Sequence, residues 1–129
     1  MKDKLEELRQ MRAKAKLGGG ERRIAEQHAK GKLTARERIE QLLDQGSFQE
    51  LGRLATHNIS DFDMADKKFP GDGVVTGFGK IDGRRVAIYA QDFTVLGGSF
   101  SEVQSHKVCK IIELAQESGI PVVGLLDSG

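Results

Sequence analysis

Two strand patterns meet at a single Asp-Gly pair, and this feature restricts the fold more than any other in the chain. Val74–Ile81 and Arg85–Ala90 are rich in β-branched and aromatic residues and are separated by Asp82-Gly83. An Asp-Gly pair suits a two-residue turn whose backbone twist matches that of antiparallel strands, so the segment predicts a hairpin. The second strand is apolar along nearly its whole length, as expected of a strand covered on both faces. Gly77 and Gly79 fall on one face of the first strand and leave room there for close backbone approach. Gln91–Phe100 is then a loop carrying Gly97-Gly98-Ser99, and a helix follows with Ser99 or Ser101 as its cap and Glu102 in its first turn. Val103, Val108, Ile111, Ile112 and Ala115 form its expected core stripe, Ser118-Gly119 ends it, and Ile120–Leu126 reads as another buried strand. Strand, helix and strand at these lengths make a crossover in a parallel sheet, so this part of the chain is α/β.

The segment before the hairpin reads as helical. Leu5, Leu8, Met11 and Ala15 lie near one face of a first helix that Gly18-Gly19-Gly20 ends. So narrow a stripe needs a docking surface, the alternative being a frayed, solvated arm. Thr34-Ala35-Arg36-Glu37 has the spacing of a capping box, followed by Ala35, Ile39, Leu42 and Leu43 on one face. Gly46 is placed to end that helix in the left-handed C′ position. Phe48–Leu54 reads as a short strand. Residues 55–72 read as a solvated loop with Asp61, Asp63 and Asp66, closed by a Phe69-Pro70-Gly71 turn. Those three acids lack the later glycine and glutamate of a calcium loop, and no metal site is expected.

Composition narrows the function classes. The chain holds 20 Lys plus Arg against 19 Asp plus Glu, a formal charge of +1, which excludes a generally basic nucleic-acid or polybasic membrane binder. No apolar run reaches the roughly 20 residues that span a bilayer. One cysteine, Cys109, excludes a disulfide framework and a multi-cysteine metal site and reads as a small, partly buried side chain. MKDKLEELRQ carries no apolar signal core, so a reducing cytoplasm is the expected location.

The short motifs of nucleotide and nucleophile chemistry fail on spacing. Gly71-Asp72-Gly73 is followed by Thr76 where the dinucleotide fingerprint needs glycine, and Gly79-Lys80 lacks both flanks of a P-loop. Ser128 lacks the preceding glycine of a nucleophile elbow, Leu126 standing there. His28, His57 and His106 are scattered. The physical candidate is instead the rim where Gln91–Ser101 leaves a buried strand and Asp127-Ser128-Gly129 leaves its neighbour. Ligands of parallel sheets gather at that edge, and helix N-terminal amides there favour anions.

Two long segments, Lys30–Glu50 and Gly71–Glu102, resemble the carboxyltransferase subunits of biotin-dependent acyl-CoA carboxylases, particularly the propionyl-CoA carboxylase β type, with methylmalonyl-CoA decarboxylase and transcarboxylase subunits near it. The resemblance implies an α/β fold: a helical N-terminal arm over residues 1–46, then over 47–129 the first part of a crotonase-like ββα core. It implies an enzyme that moves carboxyl from carboxybiotin to the α-carbon of an acyl-CoA, propionyl-CoA in the first instance, through an enolate held by backbone amides. Biotin would ride on a partner, with biotin carboxylase and carrier subunits beside a homo-oligomer, in a bacterial cytoplasm. In the family, Asp-Ser-Gly runs on into Gly-Ala-Arg, where amides of the first oxyanion hole lie. The chain therefore corresponds to the first part of such a subunit and is expected to be inactive alone. Phe93, Thr94, Gly97, Gly98 and Ser99 become the expected CoA-contacting loop, and Gly129 the edge of the oxyanion hole. The rival reading is a non-catalytic assembly module whose helical arm docks on a partner subunit.

Overall fold

The computed structural model describes residues 1–56, 67–99 and 101–129; the Asp61, Asp63 and Asp66 loop and His57 lie outside the described residues. Three helices come first: α1 (Lys2–Lys16), α2 (Glu21–Ala29) and α3 (Ala35–Leu42). Then follow β1 (Gln49–Leu51), β2 (Val74–Ile81), β3 (Arg84–Gln91), a 3-10 turn at Leu96–Gly98, α4 (Glu102–Ser118) and β4 (Val122–Leu125). The sheet order is β1-β2-β3-β4, antiparallel at the first two pairings and parallel between β3 and β4.

The hairpin forms as read. Ile81 pairs with Arg84, and the two turn residues both take positive φ, 50° at Asp82 and 79° at Gly83, the geometry that an Asp-Gly pair favours. Asp44, at the end of the α3 segment, secures the turn by accepting N–H bonds from Asp82 at 2.9 Å and Gly83 at 2.8 Å.

Strand alternation sorts the core into two layers. Val86, Ile88 and Ala90 face α3 and pack with Val75, Ala35, Ile39 and Leu43. Ala87 faces the other way, onto Ile111 and Ala115 of α4, with Phe78, Tyr89 and Ile120 around them. Gly79 is required on the α3 side, since a Cβ there would lie 2.4 Å from a Leu43 methyl. Thr34 caps α3 with a complete capping box, accepting from the Glu37 amide while its own N–H donates to the Glu37 carboxylate.

Several expectations are corrected. Leu43 has extended ψ (153°), so α3 stops before Gly46, which lies in a separate turn, and Leu42 is exposed while Ala35, Ile39 and Leu43 are buried. On α4 the buried stripe is Gln104, Lys107, Ile111 and Ala115; Ile112 and Cys109 are exposed, and Val103 and Val108 are half-buried. Two polar side chains can occupy that stripe because backbone carbonyls of residues 71–74 lie opposite and accept from them. Ser101, not Ser99, is the α4 cap. β4 is half-exposed rather than buried, because it is the edge strand of the described sheet. Of the α1 stripe only Ala15 is buried, and Leu5 and Met11 remain exposed. Helix α2 has no counterpart in the sequence reading. Its apolar residues are too few to show a period, and its visible signal is the Arg22–Glu26 pair four residues apart.

Candidate functional site

Because β3 and β4 run parallel, they release the chain at the same edge, just after the Ala90–Leu125 pairing. Gln91, buried at the end of β3, reaches across to accept the Asp127 N–H at 2.9 Å. The loop after it turns on Asp92, whose Oδ1 accepts from Thr94 N at 3.0 Å and Thr94 Oγ1 at 2.6 Å. Leu96, Gly97 and Gly98 then take successive positive φ values of 48°, 66° and 70°. Leu96 is costly in that region, by about 1–2 kcal/mol, and strain of this kind gathers at functional sites.

The two loops lock together at the glycines. Gly129 donates its N–H to Gly97 O at 3.0 Å, and a Cβ on Gly98 would lie 2.3 Å from Asp127 O. A Cβ on Gly97 would meet nothing within 4 Å. The rim therefore has a packed floor at Gly98 and an open approach at Gly97. Phe93 borders the same place, 3.9 Å from where a Gly129 side chain would begin.

The helical arm forms the other wall. Gly18-Gly19-Gly20 does more than end α1: Gly19 donates its N–H to Thr94 Oγ1 at 3.1 Å, and a Cβ on Gly19 would sit 1.7 Å from Thr94 O. Lys32 Nζ lies 2.5 Å from Asp127 Oδ1 and 4.5 Å from the centre of the Phe93 ring. Gln27, 4 % exposed within α2, donates to Asp127 Oδ2 at 3.0 Å and to Leu33 O at 3.2 Å. An open cleft of about 360 Å³ lies beside this junction, lined by Lys32, Leu33, Arg38, Leu126 and Asp127.

The structure thus brings Phe93, Gly97, Gly98 and Gly129 together. Ser99 is exposed beyond the 3-10 turn, and Thr94 is buried with its hydroxyl turned to the arm. The N-terminus of α4 is occupied from within the chain: the Ser101 hydroxyl accepts from Gln104 N and donates to the Asp72 carboxylate. The Asp72 carboxylate thus rests on the cap residue of α4 and already places a negative charge beside that helix end. Sequence reasoning missed Gln27, Lys32 and Gln91, whose partners lie 36 to 100 positions away.

Two buried charges support the scaffold. The Glu50 carboxylate, 1 % exposed, is gripped bidentately by Arg36 at 2.7 and 2.8 Å and by Arg53 at 2.6 Å. Burial pushes its pKa up, but the two guanidinium groups outweigh burial and hold it below the usual carboxylate value. Lys107 donates to Gly71 O at 2.7 Å and Val74 O at 2.5 Å, and burial lowers its pKa to about 8.

Comparison with known proteins places this geometry. The family model of the carboxyl transferase domain matches residues 26–129. The chain is 58% identical over its whole length to the propionyl-CoA carboxylase beta chain of Roseobacter denitrificans, covering 25% of that protein. It is 50% identical, again over its whole length, to methylmalonyl-CoA decarboxylase subunit alpha of Veillonella parvula, covering 25% of it. Among solved structures, transcarboxylase 12S, described as a hexamer with methylmalonyl-coenzyme A and methylmalonic acid bound, superposes with TM-score 0.96 at 47% identity, over all of this chain and 25% of that one. The chain spans about a quarter of the length of the curated relatives it matches. Among the described residues no helix is long and apolar enough to cross a membrane. The solved neighbours are crotonase-like carboxyltransferase domains, this chain has their mixed α/β architecture with a helical N-terminus and a four-stranded sheet, and it belongs to the carboxyl transferase domain family.

Proposed function

We propose that the chain is part of a subunit transferring carboxyl from carboxybiotin to the α-carbon of an acyl-CoA, propionyl-CoA first among candidates. Residues 1–46 serve as its helical arm and 47–129 as the first part of its N-terminal crotonase-like domain. The observation that carries this is the 58% identity, over the whole of this chain, to a propionyl-CoA carboxylase beta chain. Carboxybiotin, carried by a biotin carrier partner and charged by a biotin carboxylase, supplies the activated carboxyl group. This chain's residues hold the thioester. Phe93, Gly97, Gly98 and Ser99 present the loop to CoA, with Thr94 bracing it from beneath. Gly97, open above, lets the backbone approach the thioester, and Gly129 borders the amides that hold the enolate oxygen. The rest of the subunit supplies the remaining donors, and the whole assembles as a homo-oligomer in the bacterial cytoplasm, as the bacterial relatives suggest.

The test is carboxyl transfer by the complete subunit combined with its biotin carboxylase and biotinylated carrier, using ATP and labelled bicarbonate. Label should enter propionyl-CoA in preference to acetyl-CoA, and label in no acyl-CoA sinks the reading. One observation favours a second role for the arm, as an assembly module docking on a partner subunit: Leu5 and Met11 of α1 stay exposed. Removing residues 1–33 would then abolish partner association while acyl-CoA binding persists.

A further inference from the structure

Asp127 is where three parts of the chain converge. Its N–H is held by Gln91 of β3, its Oδ1 by Lys32 and its Oδ2 by Gln27 of α2, and its carbonyl rests against Gly98. Two residues later Gly129 N–H closes on Gly97 O. The arm holds the opposite loop as well, through Lys32 over the Phe93 ring and Gly19 on Thr94. Both loops of the rim are thus tied to one wall, and Lys32 touches both.

We propose that the Lys32–Asp127 pair, braced by Gln27, is a positioning device that sets the spacing between the Phe93–Ser99 loop and the Asp127–Gly129 segment. The Asp127 side chain is only 13% exposed while Lys32 is 42% exposed, so a largely buried carboxylate is held by one cation reaching in from the cleft and by one amide. A charge-assisted bond in such a place is shorter and more directional than a surface pair. An error of one ångström in the rim would misplace backbone donors that must meet a small developing charge, a loss that falls on kcat. Lys32 and Asp127 act in this proposal as positioning residues, through Phe93 and the backbone on either side of Asp127.

The inference rests on the carboxyltransferase reading, and its test separates the two. In the complete subunit with its partners, Lys32→Met and Asp127→Asn are each expected to lower kcat about tenfold, with KM for acyl-CoA within about twofold. The double variant should be no worse than the worse single one, and Lys32→Arg should restore most of the rate. Unchanged kcat, or losses that multiply, would overturn the proposal. Amide hydrogen exchange at Gly19 and Gly129 is measured on the same variants. Faster exchange at both in Lys32→Met, recovered in Lys32→Arg, supports the coupling even if the wild-type subunit transfers no carboxyl at all. Unchanged exchange overturns it.

Discussion

Gly19 and Thr94, 75 positions apart in the chain, are joined by a hydrogen bond of 3.1 Å from the glycine N–H to the threonine hydroxyl. The same hydroxyl donates to Asp92 at 2.6 Å, so one buried threonine links the arm to the loop that leaves β3. Gly19→Ala would drive a methyl group to 1.7 Å from Thr94 O, and the arm would have to lift. A loss of about 1–3 kcal/mol is expected, read as a lower urea midpoint. Thr94→Val, which keeps the shape and removes the hydroxyl, should also cost about 1–3 kcal/mol because Asp92 loses a buried donor.

Glu50 should govern acid stability. Its folded pKa lies below the unfolded value, so the unfolded chain binds the extra proton and stability rises with pH through the acid range. The contribution is complete above the ordinary carboxylate value near 4.5 and disappears as pH falls through the lower folded value. Glu50→Ala leaves the Arg36 and Arg53 guanidinium groups facing each other with no carboxylate between them and should cost about 3–5 kcal/mol at pH 7. Unfolding midpoints taken between pH 2.5 and pH 7 test this, and the gap from wild type should narrow toward the acid end.

Lys107 should act at the alkaline end. With its folded pKa near 8 against an ordinary 10.5, the unfolded chain holds a proton that the folded chain has released between those values. Stability from this group therefore rises with pH across that window, by on the order of 1–3 kcal/mol. Comparing wild type with Lys107→Met from pH 7.5 to 10.5 isolates it. Only the wild type should show the rise.

The two rim glycines should respond differently. Gly98→Ala meets Asp127 O at 2.3 Å and should weaken folding, by about 1–3 kcal/mol. Gly97→Ala meets nothing within 4 Å and costs only the left-handed backbone strain, about 1 kcal/mol. In the complete subunit, however, Gly97→Ala should raise KM for acyl-CoA, because the methyl group fills the open approach. Thermal unfolding and acyl-CoA kinetics on both variants check the contrast.

Asp44 accepts two N–H bonds from the Asp82-Gly83 turn. Asp44→Ala should lower stability by about 1–3 kcal/mol without affecting the rim, which lies at the other end of β3. A calorimetric melt shifted down with kinetics unchanged is the expected pair of results.

Some of this was legible in residue types alone because the interactions involved are local. The capping box at Thr34 and Glu37 closes over three residues, the Asp82-Gly83 turn over two, and the Ser101 cap over three. Backbone groups at such spacings have few alternatives, so the pattern names the structure. The α/β character and the parallel β3–β4 pair follow from the same logic extended to strand and helix lengths.

The α4 stripe was misread because hydropathy cannot see what lies opposite a side chain. Lys107 and Gln104 face inward since the carbonyls of residues 71–74 lie where a donor can reach them. Ile112 sits on the outward side of the same helix. Leu42 is exposed for a similar reason: α3 stops a residue later, and only one side of its end meets the sheet.

By itself the sequence determined the Thr34 capping box, the Asp82-Gly83 hairpin, the strand–helix–strand order and the loops on Gly97, Gly98 and Gly129. Only the tertiary structure decided that Gly19 seats on Thr94, that Gln27 and Lys32 share Asp127, and that Asp72 holds the Ser101 cap of α4. The physical reason is separation. A cap or turn is closed by residues a few positions apart, whereas these contacts pair groups 29 to 100 positions apart, and their geometry exists only once the sheet has brought them to one edge.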